Sequence, residues 1–296
     1  MDRSVKTQAI VIRTARYGEL HKIVTLLSPD LGIVSAVVYG GRKGKRTALA
    51  PLFSVGTFQL YNNPVKKEYS IEEGVLSFVP TSIADDLEST YTASLMCELV
   101  MKTPSDDPQP VFELLETALR QLEMSLKEST DQADSSSEGQ PKEKTTSKRA
   151  VIAFVWKLLQ ISGLAPDLEY CPSCDRRYEE DETLSFSSSI LAPTCRDCGD
   201  SEELVLPPGA RRYLRYTQGM GYEDAIGVKL NPAAEARILN YMTKWIRLHV
   251  NAPIKTLENW RTGLSETMTP IEPTPHLPYP FMQANAHEME NQTGTV

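Results

Sequence analysis

The stretch QAIVIRTARYGELHKIVTLLSPDLGIVSAVV, residues 8–38, decides the fold of the first part of the chain. QAIVIRTAR is a run of strand-forming residues, and HKIVTLLS is a second. PDLG follows as a turn: Pro29 and Asp30 set up the bend, and Gly32 is free to take a positive φ. IVSAVVY, SVGTFQLY and EYSIEEGVLSFV add three further runs rich in Val, Ile, Phe and Tyr. None of the five is followed by a helical stretch long enough for a parallel crossover. The pattern predicts a small antiparallel barrel over residues 1–80, with an OB-fold as the first reading and an SH3-like barrel as the alternative.

Inside this region VVYGGRKGKRT, residues 37–47, gathers Arg42, Lys43, Lys45 and Arg46 into five positions behind a Gly-Gly pair. The chain as a whole carries a net charge of −8. Residues 1–80, however, hold 11 Lys and Arg against 6 Asp and Glu, a net of +5. That asymmetry points to a polyanionic partner for the N-terminal part, although a plain soluble surface has the same signature. Three readings of the loop compete: a nucleotide phosphate loop, a nucleic-acid contact, or a solvated tip. The first fails. Aligned on G-x-x-x-x-G-K-[ST], the loop has Tyr39 in place of the first Gly and Arg46 in place of the magnesium-binding hydroxyl.

At Pro80 the period changes. TSIADDLESTYTASLMCELVMK places Ile83, Leu87, Tyr91, Leu95 and Leu99 at intervals of four, one helical stripe, and Ser82 with Asp85 resembles a capping box. VFELLETALRQLEMSLK is a second amphipathic helix. Residues 129–149 are polar and read as a disordered loop. RAVIAFVWKLLQISG is apolar nearly all round, a central buried helix closed by Gly163 and Pro166. Helical patterns return at GARRYLRYTQ and AAEARILNYMTKWIRLHV, and residues 265–296 read as a disordered tail. The class is α+β: a barrel over residues 1–80, then a helical domain over residues 81–264.

An insertion at residues 168–206 interrupts the helices. It contains Cys171-x₂-Cys174-x₂₀-Cys195-x₂-Cys198, a spacing that suits one four-thiolate zinc site. Four protein ligands leave no open coordination position, so such a Zn²⁺ is structural. Paired disulfides are disfavoured by the cytoplasmic setting implied by a polar N-terminus and the lack of a membrane-spanning apolar run. The sequence contains no H-E-x-x-H and no G-x-S-x-G, and His21, His249, His276 and His287 form no constellation. The chain therefore reads as a binding protein and not an enzyme.

Taken together, IVIRTARYGELHKIVTLLSPDLGIVSAVVYGGRKGKR, LLQISGLAPDLEYCPSC…CRDC and IRLHVNAPIKTLENW resemble the RecO family of DNA repair proteins. Departures are the polar loop, the tail, and His21 where an acidic or polar residue is usual. The resemblance implies an OB-fold, a helical domain and a zinc element. It also implies a cytoplasmic, nucleoid-associated recombination mediator that binds single- and double-stranded DNA. Such a mediator anneals strands coated with single-stranded-DNA-binding protein (SSB) and acts with RecR to load RecA. On that basis Arg13, Arg16, Arg42, Lys43, Lys45, Arg46, Lys66 and Lys67 are expected to contact DNA, with Tyr17, Tyr39 and Phe53 available for stacking. The helical domain is expected to capture the acidic tail of SSB through Arg211, Arg212, Tyr213, Arg215, Lys244, Trp245 and Arg247. The rival reading is a zinc-stabilised protein–protein adaptor whose barrel binds peptide. A transcriptional regulator is a third, but no helix-turn-helix is apparent.

Overall fold

The runs read along the first 80 residues close on themselves. The computed structural model describes residues 3–42, 44–64, 68–103, 105–134, 147–250 and 253–263. Strands β1 (Ser4–Tyr17), β2 (His21–Ser28), β3 (Gly32–Val38), β4 (Val55–Asn63) and β5 (Glu68–Phe78) form a barrel in the order β1-β2-β3-β5-β4. Every neighbour is antiparallel except β3 and β5, which run parallel through Ala36↔Tyr69 and Val37↔Ser70. Pairing of β1 with β4, from Ser4↔Tyr61 to Ile10↔Val55, shuts the barrel. The result is OB-like.

Ala9, Val11, Val24, Leu26, Val38, Phe58 and Leu60 fill the barrel interior. Ile10 and Ile12, on the other face of β1, join Leu27, Phe53 and Val55 in a second cluster that continues into the helices. β1 is thus buried on both sides, which is why residues 9–12 are all apolar instead of alternating. Phe53 departs from its expected role. It is buried with a φ of 63° and faces the helical core, so it offers no platform to a ligand.

After the barrel come α1 (Thr81–Asp85), α2 (Leu87–Lys102), α3 (Pro108–Asp134) and α4 (Ser147–Ile161). The single stripe expected from Ile83 to Leu99 is broken. Asp86 is extended (ψ 118°), and its carboxylate accepts from the N–H of Ser89 at 2.8 Å, so it ends α1 and caps α2. Leu87 is turned out to solvent at 59% exposure, while Ile83, Leu95 and Leu99 stay buried. Helix α3 runs to Asp134, six residues into the stretch expected to be disordered, and α4 starts at Ser147, within its other end. The rest of that stretch and the tail lie outside the described residues.

The capping box expected at Ser82 and Asp85 does not form. Glu123, on α3, supplies the cap instead: its buried carboxylate accepts from the N–H groups of Ser82 at 3.0 Å and Ile83 at 2.9 Å. Lys127 lies 3.1 Å away. Burial alone would raise the Glu123 pKa, but the two N–H groups and Lys127 outweigh it and hold the carboxyl below its usual value. A depressed folded pKa means that the stabilisation is complete above the unfolded pKa and is lost as pH falls through the folded one. Glu123→Gln should therefore cost about 1.5–3 kcal/mol at neutral pH. The cost should shrink as pH falls through the lowered pKa of the wild-type carboxyl. Thermal melts of both proteins across pH check this; a gap that is constant with pH would contradict it.

Helix α4 is buried nearly all round, as its composition requires, and Trp156 donates to the carbonyl of Leu214 at 2.9 Å. Its end follows the sequence reading: Gly163 has a φ of 66°, and Leu164 N–H returns to the carbonyl of Leu159. The remaining helices are α5 (Pro208–Thr217), α6 (Tyr222–Gly227), α7 (Pro232–His249) and α8 (Lys255–Gly263). The cysteine element lies before them. Its strands β6 (Leu184–Ser187), β7 (Ala192–Thr194) and β8 (Ser201–Leu206) pair in the order β7-β6-β8. Tyr178, Leu184, Phe186, Leu204 and Leu206 carry the helical core into this element. Among the described residues no helix is long and apolar enough to cross a membrane.

Candidate nucleic-acid interface and metal centre

The basic loop leaves β3 at Val38 and returns over the barrel as a 3₁₀ turn, Gly44–Leu49. Two cations tie it down. Lys22, on β2, donates to the carbonyls of Thr47 at 3.1 Å and Ala50 at 2.9 Å, and burial lowers its pKa. Arg42 reaches the other way, donating from Nη1 to the carbonyls of Gly18 at 3.1 Å and Glu19 at 3.0 Å. Arg46 is exposed, with one 3.4 Å contact to the carbonyl of Tyr39. Lys43, Lys66 and Lys67 lie outside the described residues, as does the side chain of Lys45.

Arg13 and Arg16 lie on β1 beyond a bulge between Val11 and Arg13, where the doubly buried run ends and every residue to Tyr17 reaches solvent. Arg16 stands opposite Lys22, and Arg13 opposite Thr25. Tyr39 is half-buried: its hydroxyl donates to Glu68 at 3.0 Å, and its ring meets His21 edge-on at 5.2 Å. With Arg46, Gln59, Ser70, Ile71, Glu72 and Glu73 it lines an open groove of about 710 Å³. The two glutamates give that groove mixed charge. Sequence reasoning missed Lys22 and His21, because a cation and an imidazole inside a strand run carry no signal of what the loop will do above them.

The four cysteines converge. Their Sγ atoms all lie within 4.8 Å of one another, with Cys174 and Cys195 at 3.8 Å, close enough to bind a metal ion. Each pair sits in a tight turn: Asp175 N–H returns to the Cys171 carbonyl at 2.8 Å, and the N–H groups of Cys198 and Gly199 to that of Cys195 at 3.1 Å. At Gly199 an added Cβ would meet the Ser185 side chain at 2.1 Å, so only glycine lets the second turn lie against β6. Cys171 and Cys195 are buried, whereas Cys174 is exposed. Burial opposes a thiolate at Cys171, but N–H groups of Cys195, Ser173 and Cys174 outweigh it and bring its pKa down to about 6. Arg176 bonds Glu182 at 2.6 Å and also faces the Cys195 sulfur, which offsets the charge of the thiolates.

Most of the residues expected to form a tail-binding pocket have contacts within the chain. Arg211 is only 1% exposed; it donates to the carbonyls of Glu179 and Glu180 and lies over the Tyr178 ring at 5.7 Å. Arg212 pairs with Asp181 at 3.2 Å and Arg215 with Glu169 at 2.6 Å. These three arginines of α5 fasten the cysteine element to the helices. Tyr213 (7% exposed) and Trp245 (2%) are core, and Arg247 pairs with Glu258 on α8. Lys244 is half-buried. Helical spacing of the aromatics marked the core here and not a ligand pocket.

Two family profiles match the chain: Recombination protein O N terminal over residues 1–77 and Recombination protein O C terminal over residues 142–258. Among curated proteins, DNA repair protein RecO of Bacillus pumilus is 31% identical over 71% of this chain and 75% of its own length. The protein of that name from Bacillus subtilis is 29% identical over the same shares. That from Caldanaerobacter subterraneus is 24% identical over 86% of this chain and 96% of its own.

Proposed function

Because the chain belongs to the RecO family of DNA repair proteins, we propose that it is a recombination mediator that binds DNA through its barrel and anneals complementary single strands. The observation that carries this reading is the OB-like barrel with its basic loop, where Arg46 is exposed and exposed Arg16, opposite Lys22 on β2, shares the face from which Lys22 holds the loop. Two single strands repel through their phosphates, and a cationic surface weakens that repulsion by displacing counterions. Base pairing then supplies the free energy. No nucleotide is needed, in keeping with a loop that lacks a Walker A pattern at Tyr39 and Arg46 and with a family of mediators, not known enzymes.

In this reading the ion of the cysteine centre is Zn²⁺, one per chain and structural. A tetrahedron on Zn–S bonds of about 2.3 Å has edges of about 3.8 Å, the separation found between Cys174 and Cys195. The partners are single- and double-stranded DNA, the tail of SSB, RecR, and RecA indirectly. The tail would dock elsewhere than on Tyr213 and Trp245, which the core already uses.

Annealing of complementary oligonucleotides, followed by fluorescence in buffer without ATP, tests the proposal. The protein should accelerate it, and the acceleration should fade as salt rises. A requirement for ATP hydrolysis would overturn the mechanism. Absence of any salt-dependent DNA binding would favour the adaptor reading.

A further inference from the structure

Tyr17 and Leu20 share the short turn between β1 and β2, at 44% and 45% exposure. Apolar groups on a hairpin tip are ordinarily mobile, but this tip is tethered from the basic loop. Arg42 donates from its guanidinium to the carbonyls of Gly18 and Glu19, and from its backbone N–H to that of Leu20 at 3.1 Å. One residue further on, His21 Nδ1 accepts from the N–H of Gly40 at 3.0 Å, which fixes the imidazole ring. Three rings then run from tip to barrel. Tyr17 and His21 lie 6.4 Å apart at 38°, and His21 and Tyr39 meet edge-on at 5.2 Å.

We infer that Tyr17, braced by His21, is a stacking site for an unpaired nucleobase, and that Arg42 is a positioning residue for the turn and not a phosphate contact. This rests on the reading of the barrel as a DNA-binding surface. An exposed aromatic face suits a stacked base, whatever the base, because every base has a π face. The tethers hold the ring in place before the strand arrives, so little ordering cost remains at binding. A base inside a duplex has its faces covered by its neighbours, so the site selects single strands. Arg42 uses one guanidinium nitrogen on two carbonyls of the turn, which makes it the brace of the platform.

Tyr17→Trp provides a direct probe, because the native Trp156, Trp245 and Trp260 are all buried. Titration of the Tyr17→Trp protein with oligothymidylate should quench the new exposed indole. By anisotropy, Tyr17→Ala should weaken oligothymidylate binding about 5- to 150-fold. Tyr17→Phe should restore it, and duplex affinity should move far less. Adding Arg42→Ala to the Tyr17→Trp protein should abolish the quench yet leave the salt dependence of binding unchanged. Oligothymidylate that binds without quenching, or binds the Tyr17→Ala protein as tightly as wild type, overturns the inference and leaves the barrel's DNA binding intact. Wild-type protein that binds no DNA at all overturns the proposed function, and this site with it.

Discussion

Chelating the metal from Cys171, Cys174, Cys195 and Cys198 should collapse the element from Tyr170 to Leu206 and lower the melting temperature of the whole protein. The sulfurs lie within 4.8 Å of one another, a spacing that thiolates tolerate only when a cation shares their charge. The three strands of the element are only 4, 3 and 6 residues long, too short to hold together alone. Structural zinc supplies about 10–16 kcal/mol to isolated fingers. Here the buried Phe186, Leu184 and Leu206 are shared with the helices, so losing the ion also loosens their packing. A net loss of even about 3 kcal/mol would lower Tm by about 6–12 °C in a chain of this size. Any one Cys→Ser substitution should have nearly the same effect as chelation. Metal analysis of freshly purified, reduced protein should find one zinc per chain. A melting curve unmoved by chelator would refute the structural role.

Replacing Lys43, Lys45 and Arg46 together by Ala should weaken single-strand binding about 100-fold in 0.1 M salt and reduce the slope of log K against log salt by up to about 2. The three side chains would act as point charges, so the loss should be equal on every sequence. Annealing should slow in step. Arg42 is left out of this variant, because one nitrogen of its guanidinium bonds the carbonyls of Gly18 and Glu19 and its loss would also release the turn. A salt titration of the triple variant with an unchanged slope would remove the loop from the interface.

Local chemistry was legible in the sequence; long-range employment of side chains was not. The strand runs, the turn at Gly32, the buried α4 and the four cysteines each declare themselves within a few residues, because turn chemistry, period and ligand spacing are local. Asp86 was hidden inside a pattern of fours, since a residue that caps one helix and ends another need not disturb the spacing around it. Glu123 caps Ser82 from about forty residues away, a pairing that no local motif encodes. Arg211 looked like surface charge, yet it is spent on two backbone carbonyls of the cysteine element. The same limit explains Phe53, Tyr213 and Trp245: an aromatic in sequence carries no mark of whether a neighbour will cover it.

The apolar run of residues 9–12 belongs to two cores at once, and this makes the barrel a poor candidate for grafting. An isolated copy of residues 1–80 would present Ile10, Ile12, Leu27, Phe53 and Val55 to water as one adhesive face. Such a fragment would favour self-association over the monomeric behaviour of a free-standing OB module. The joint also works in the opposite direction. A cavity opened in the helices next to that face would relax into β1, and β1 carries Arg13, Arg16 and Tyr17 at its far end. Core lesions distant from any phosphate can then surface as altered handling of DNA.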